Sequence, residues 1–183
     1  MAVRPLLPGK RKRPGVLVKI HSKYLSGDGP LDPEETQSAT EHLAKVDQTA
    51  SALLSDCPIW FEGIAEVAKL ADVGDIRTPS VYREGPVWRE QIVPLIRAAT
   101  AAMHRVIKPL DSLLATLEGL PLEVRTRDAQ LLFDLTRARR RLGDKAKMAN
   151  HFLGADLPDD GLFSKEEEKW VSWLARYRGH RSA

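Results

Sequence analysis

Seven apolar residues in the second half of this chain are the strongest constraint on its fold. Leu131, Leu135, Ala138, Leu142, Ala146, Ala149 and Leu153 follow one another at spacings of four, three, four, four, three and four. At about 100° per residue, such positions stay within a narrow arc of an α-helix. The spacing predicts one helix over about 122–153, with Gly143 off the stripe. An apolar stripe of this kind must be buried against other elements, so the remaining chain has to supply partners.

It supplies several. Leu31-Asp32-Pro33-Glu34-Glu35 reads as a helix start. Asp32 can cap free N–H groups, Pro33 suits the first helical position, and the glutamates favour the positive end of the dipole. Ala39, Leu43, Val46, Ala50 and Leu53 continue that helix to about Leu54. A second helix is expected to begin at Asp56-Cys57-Pro58, with Trp60, Ile64, Val67 and Ala71 on one face. Gly74, Pro79, Gly85 and Pro86 place a loop or hinge over 72–86. A stripe from Trp88 through Ile92, Ile96, Ala99, Met103, Ile107, Leu110 and Leu114 to Leu117 follows. It keeps its phase across Pro94 and Pro109, which predicts kinked or closely abutting helices. After a loop marked by Gly154, Pro158 and Gly161, Ser164 and Glu167 form a capping-box pattern. They open a last helix carrying Trp170, Trp173, Leu174 and Tyr177. The fold class expected is all-α, a bundle of five to six amphipathic helices over 31–178.

Residues 1–30 read differently. Pro5, Pro8, Gly9, Pro14 and Gly15 disfavour a helix, and Val16, Val18 and Ile20 alternate with Leu17, Lys19 and His21. An extended basic arm with a short strand or extended segment is the expectation. Residues 179–183 form a basic tail.

Charge is sorted along the chain. Residues 1–27 carry seven basic side chains and no acid, and 28–72 carry ten acids against Lys45 and Lys69. Residues 125–153 carry eight Lys or Arg against Asp128, Asp134 and Asp144. The net charge of +3 conceals this segregation. Polarised surfaces steer polyanions and complementary neighbours. On the 122–153 helix, Arg137, Arg140, Arg141 and Lys147 project roughly opposite the Leu135/Leu142 seam, and the planar guanidinium fork suits phosphate oxygens. The run Lys10-Arg11-Lys12-Arg13 suits a nucleic-acid backbone or a localisation signal, and Arg178 adds charge near the end. Solvated, solubilising faces carry the same pattern, and Asp134 and Asp144 are placed to pair locally with the arginines. Glu34, Glu35, Glu41 and Asp47 would repel phosphate and suit docking on a basic protein surface, including another copy of this chain.

Other chemistry is sparse. Cys57 is the single cysteine, which excludes an intrachain disulfide and a cysteine-built metal site. His21, His42, His104, His151 and His180 lack metal-ligand spacing, and the chain holds no HExxH, P-loop, GxGxxG or GxSxG. No metal or cofactor and no enzymatic activity are expected. Trp60 and Trp88 fit helix seams, and Trp170 and Trp173 sit beside the basic tail. Hydrophobic residues make up 43% and charged residues 29%, enough for a packed core and unlike a disordered chain. No apolar run spans a bilayer and no secretory signal stands at the N-terminus, so a cytoplasmic protein without membrane contact is expected.

The α-helical bundle, the Arg137/Arg140/Arg141 surface and the absence of a catalytic constellation resemble the small helical subunit of CRISPR ribonucleoprotein effector complexes over about 31–178. That resemblance implies several stacked copies beside a backbone carrying guide RNA, helping to hold RNA or single-stranded DNA. The basic arm is outside that resemblance. A phage packaging or assembly subunit, meeting acidic protein rather than nucleic acid, is the other reading of the same charges.

Overall fold

The computed structural model describes residues 3–7, 14–26, 29–67, 74–77, 85–153 and 173–176. The fold is an all-α bundle. Among the described residues it comprises helices α1 (Val16–Ile20), α2 (Pro33–Val67), α3 (Val93–Glu118), α4 (Leu122–Arg127) and α5 (Ala129–Leu153). Two π-helical turns, His21–Leu25 and Trp88–Ile92, adjoin α1 and α3. The chain divides into two compact units, one of residues 1–56 with 101–146 and the other of residues 57–100 with 147–183.

The first unit is built on the seams expected from the sequence. Ala39, Val46, Ala50 and Leu53 of α2 are buried, as are Leu131, Leu135, Ala138, Leu142 and Ala146 of α5. From α3 come Ile107, Leu110 and Leu117 of the expected stripe together with Val106 and Leu113, whereas Met103 and Leu114 of that stripe are only half-buried. The start of α2 follows the capping logic: the Glu35 amide donates to Asp32 Oδ1 at 2.8 Å and the Thr36 amide to the Asp32 carbonyl at 2.8 Å.

The N-terminal segment departs from expectation. Residues 16–25 are helical and packed rather than extended, with Val16, Leu17, Ile20, Tyr24 and Leu25 buried. Burial at 16, 17, 20 and 24 follows helical spacing and overrides the local alternation of Val16, Val18 and Ile20. Upstream, Val3 and Leu6 are also buried. The Val16 amide donates to the Pro5 carbonyl at 3.0 Å and the Leu17 amide to the Leu6 carbonyl at 3.2 Å. Gly15 permits this approach, because a Cβ there would overlap the Leu6 carbonyl oxygen and lie 2.5 Å from the Leu7 carbonyl carbon.

Helix boundaries were the other source of difference. The two helices expected on either side of Asp56-Cys57-Pro58 are one, because α2 runs through Pro58. An interior proline costs about 3 kcal/mol, and the helix continues beyond it to bury Ile64 and Ala65. Conversely, the helix expected over 122–153 is two. Asp128, at φ −108° and ψ 20°, separates α4 from α5. Ahead of α3, Pro94 lacks the N–H that would bond Glu90, and the widened turn Trp88–Ile92 carries the chain past it without a break.

In the second unit Ile64, Trp88, Ile92 and Ile96 form a buried cluster, with Val67, Val93, Leu95, Ala149 and Leu153 packed against it. Trp88 is therefore core, as its seam position implied, and Trp60 is half-buried. This unit also holds an antiparallel two-stranded ribbon of β1 (Gly74–Arg77) and β2 (Trp173–Arg176), in register from Gly74 opposite Arg176 to Arg77 opposite Trp173. Trp173 and Leu174, expected on a last helix, thus lie in a strand whose pairing partner is distant in sequence. Ser164, Glu167, Trp170, Tyr177 and the tail 179–183 lie outside the described residues.

Candidate nucleic-acid interface

Five residues of α5 on the buried seam fix the direction in which the rest of the helix points. Arg137, Arg140 and Arg141 fall on the far side of that seam, and all three are exposed. From Arg137 to Arg141 is about 6 Å along the axis. Among the described residues none of the three makes an ion pair or hydrogen bond. The neighbouring carboxylates are engaged elsewhere or unpaired with them: Asp134 accepts from Gln130 Nε2 at 3.0 Å, and Asp144 is exposed. Three guanidinium groups without acceptors on one helix face form a compact cationic patch that can take phosphate oxygens.

Arg139, in the middle of this run, does the opposite. It turns toward α3 and grips Asp111 through two hydrogen bonds, Nε to Oδ1 at 2.6 Å and Nη2 to Oδ2 at 3.0 Å. The Asp111 carboxylate raises the Arg139 pKa above its ordinary value. The pair fixes the rotation of α5 about its axis and so supports the outward aim of the other arginines. Arg139 carries no distinguishing mark among the basic residues of 125–153 other than its position next to buried Ala138, at the edge of the core, and its partner lies 28 residues away.

Asp128, one acid within a basic block, organises the end of that block. Its side chain is 2% exposed and accepts from Lys23 Nζ and, at 3.1 Å, from Arg127 Nη2. Lys23 above all, then Arg127, hold the carboxyl down to about 2 against the opposing effect of burial. Beside it, burial first and the Asp128 carboxylate second push the Tyr24 phenol well above its ordinary range. Among the described residues, the buried Tyr24 hydroxyl has no hydrogen-bond partner. Lys23, one of the seven N-terminal cations, is therefore committed to the fold.

The other expected contact residues divide in three. Lys147 is exposed on α5 but belongs to the second unit. Glu34, Glu35, Glu41 and Asp47 are all exposed on α2, with Glu41 accepting from Gln37 Nε2 at 3.4 Å. Lys10, Arg11, Lys12, Arg13 and Arg178 lie outside the described residues.

A half-open groove of about 270 Å³ in the first unit is lined by Leu114, Leu117, Glu118, Arg125, Ala129, Leu132 and Thr136. Its lining is mostly apolar. Among the described residues no three His, Cys, Asp or Glu side chains group to hold a metal ion, and no helix is long and apolar enough to cross a membrane. Cys57 is buried, and burial raises its thiol pKa. The chain matches no protein family, no curated protein and no solved structure with which it was compared.

Proposed function

We propose that this chain is a non-catalytic, nucleic-acid-associated subunit of an oligomeric ribonucleoprotein, holding a phosphate backbone without reading sequence. The observation that carries this reading is the exposed Arg137/Arg140/Arg141 face, whose guanidinium groups have no acceptor among the described residues. Arginine donors aimed at solvent, on a helix whose opposite face is buried core, supply affinity and orientation but no base discrimination. The role proposed is that of a CRISPR small subunit, with RNA or single-stranded DNA as ligand and copies of the chain or other subunits as neighbours. Lys10, Arg11, Lys12, Arg13, Lys147 and Arg178 are further cationic candidates for the same ligand.

Titration of binding against salt tests this. Engagement of about four phosphates on a single strand gives a log–log slope near −3. An affinity indifferent to salt rejects the reading.

A second reading rests on the exposed acids of α2. Glu34, Glu35, Glu41 and Asp47 are suited to a basic protein surface, including the arginine face of another copy, as in a phage packaging or assembly subunit. Light scattering with and without nuclease separates the two. Assemblies that survive nuclease but dissociate at high salt favour the protein-only role.

A further inference from the structure

Phe133 lies one helical turn before Arg137 on α5 and two turns before Arg140, so it shares their face rather than the buried seam of Leu131, Leu135 and Ala138. The residue is 57% exposed, and it has no ring contact among the described residues. Single apolar residues at a protein surface are ordinary and need no explanation. The placement of this one is what matters. An uncovered aromatic ring stands at the head of three unpaired guanidinium groups, with about 12 Å of helix from Phe133 to Arg141.

We propose that this face binds single-stranded nucleic acid, Phe133 stacking on an unpaired base while Arg137, Arg140 and Arg141 hold the adjoining phosphates. The proposal rests on the nucleic-acid reading above and narrows its ligand class. Aromatic rings interleaved with cations bind single strands because every base offers a π-face once it is unstacked. A duplex keeps its bases stacked inside, so the ring gains nothing from it and only the arginines engage. Stacking tolerates any base, which agrees with a backbone-holding role. RNA and DNA single strands present the same chemistry to this face.

Fluorescence anisotropy with oligouridylate, oligothymidylate and a mixed-sequence duplex of equal length tests it, using the full chain and its Phe133→Ala and Phe133→Trp variants. Phe133 is exposed, so both variants should fold, which circular dichroism verifies. Phe133→Ala is expected to weaken single-strand binding roughly tenfold, and Phe133→Trp to preserve it. The slope of affinity against salt should not change, because no phosphate contact is removed. Duplex binding should also be unchanged. A loss on both single strands, with duplex binding unchanged, supports the proposal. Unaltered single-strand binding by Phe133→Ala, or an equal loss on duplex, overturns the stacking role while leaving the phosphate role standing. Failure of the unaltered chain to bind any of the three ligands removes both.

Discussion

Arg139 and Asp111 join α5 to α3 in a two-point grip, Nε to Oδ1 at 2.6 Å and Nη2 to Oδ2 at 3.0 Å. The side chains are 42% and 45% exposed, so solvent screens the pair and it belongs to the modest class of ion pairs. Its bidentate geometry puts it at the upper end of that class. Arg139→Gln or Asp111→Asn is expected to lower stability by about 0.5–1 kcal/mol in urea unfolding. Because Arg139 does not face outward with its neighbours, the salt slope of nucleic-acid binding should stay the same. A reduced slope in Arg139→Gln would place it in the phosphate contact instead.

Asp128 makes the fold sensitive to acid. Lys23, and after it Arg127, hold its folded pKa at about 2, below the ordinary 3.8. The unfolded chain then binds the proton more readily than the folded one. The resulting stability is fully present above about pH 4 and disappears as pH falls through about 2. A shift of this size corresponds to about 2 kcal/mol. Unfolding free energy should therefore drop across that window, and the slope attributable to this group should be absent from Asp128→Asn. The variant should also be less stable at neutral pH by about 2 kcal/mol. Denaturant unfolding from pH 2 to 7 reads both effects.

These two contacts show where the sequence was legible and where it was not. The seam of α5 could be read directly, since Leu131, Leu135, Ala138, Leu142 and Ala146 are buried at the spacing that defines a helical face. The outward position of Arg137, Arg140 and Arg141 follows from the same geometry. The break at Asp128 had no such signal, because an acid between α4 and α5 acquires its meaning from Lys23, 105 residues away. Alternation of Val16, Val18 and Ile20 suggested an extended segment, yet Leu17 and Tyr24 complete a helical face that packs. The pairing of Trp173–Arg176 with Gly74–Arg77 was equally hidden, since strand pairing is a relation between distant stretches. Phe133 was visible at one turn before Arg137, but its exposure emerges only once the seam is fixed.

Pro58 is a local misfit that tertiary burial tolerates. It lies exposed inside α2 and cannot donate a hydrogen bond to the Leu54 carbonyl. Replacing it with alanine restores the donor and a residue of the highest helix propensity. Pro58→Ala is expected to raise stability by about 1–3 kcal/mol, seen as a higher urea midpoint with an unchanged slope. If the proline instead fixes a bend on which packing depends, the midpoint falls.

The arginine face provides the most demanding prediction. Arg137, Arg140 and Arg141 are exposed and make no ion pair among the described residues, so their reversal to glutamate removes no internal contact. Surface substitutions of that kind change stability by about 0.5 kcal/mol or less each. The helical circular dichroism spectrum and urea midpoint of the triple variant should stay close to those of the unaltered chain. Binding to a single strand should fall steeply at low salt. If each arginine neutralises one phosphate, neutral Arg→Gln replacements at the three positions should make the salt slope shallower by about 2. Loss of affinity with an unchanged slope would mean that these groups act through something other than phosphate. A collapsed midpoint would mean that the face is part of the fold rather than a surface for a ligand.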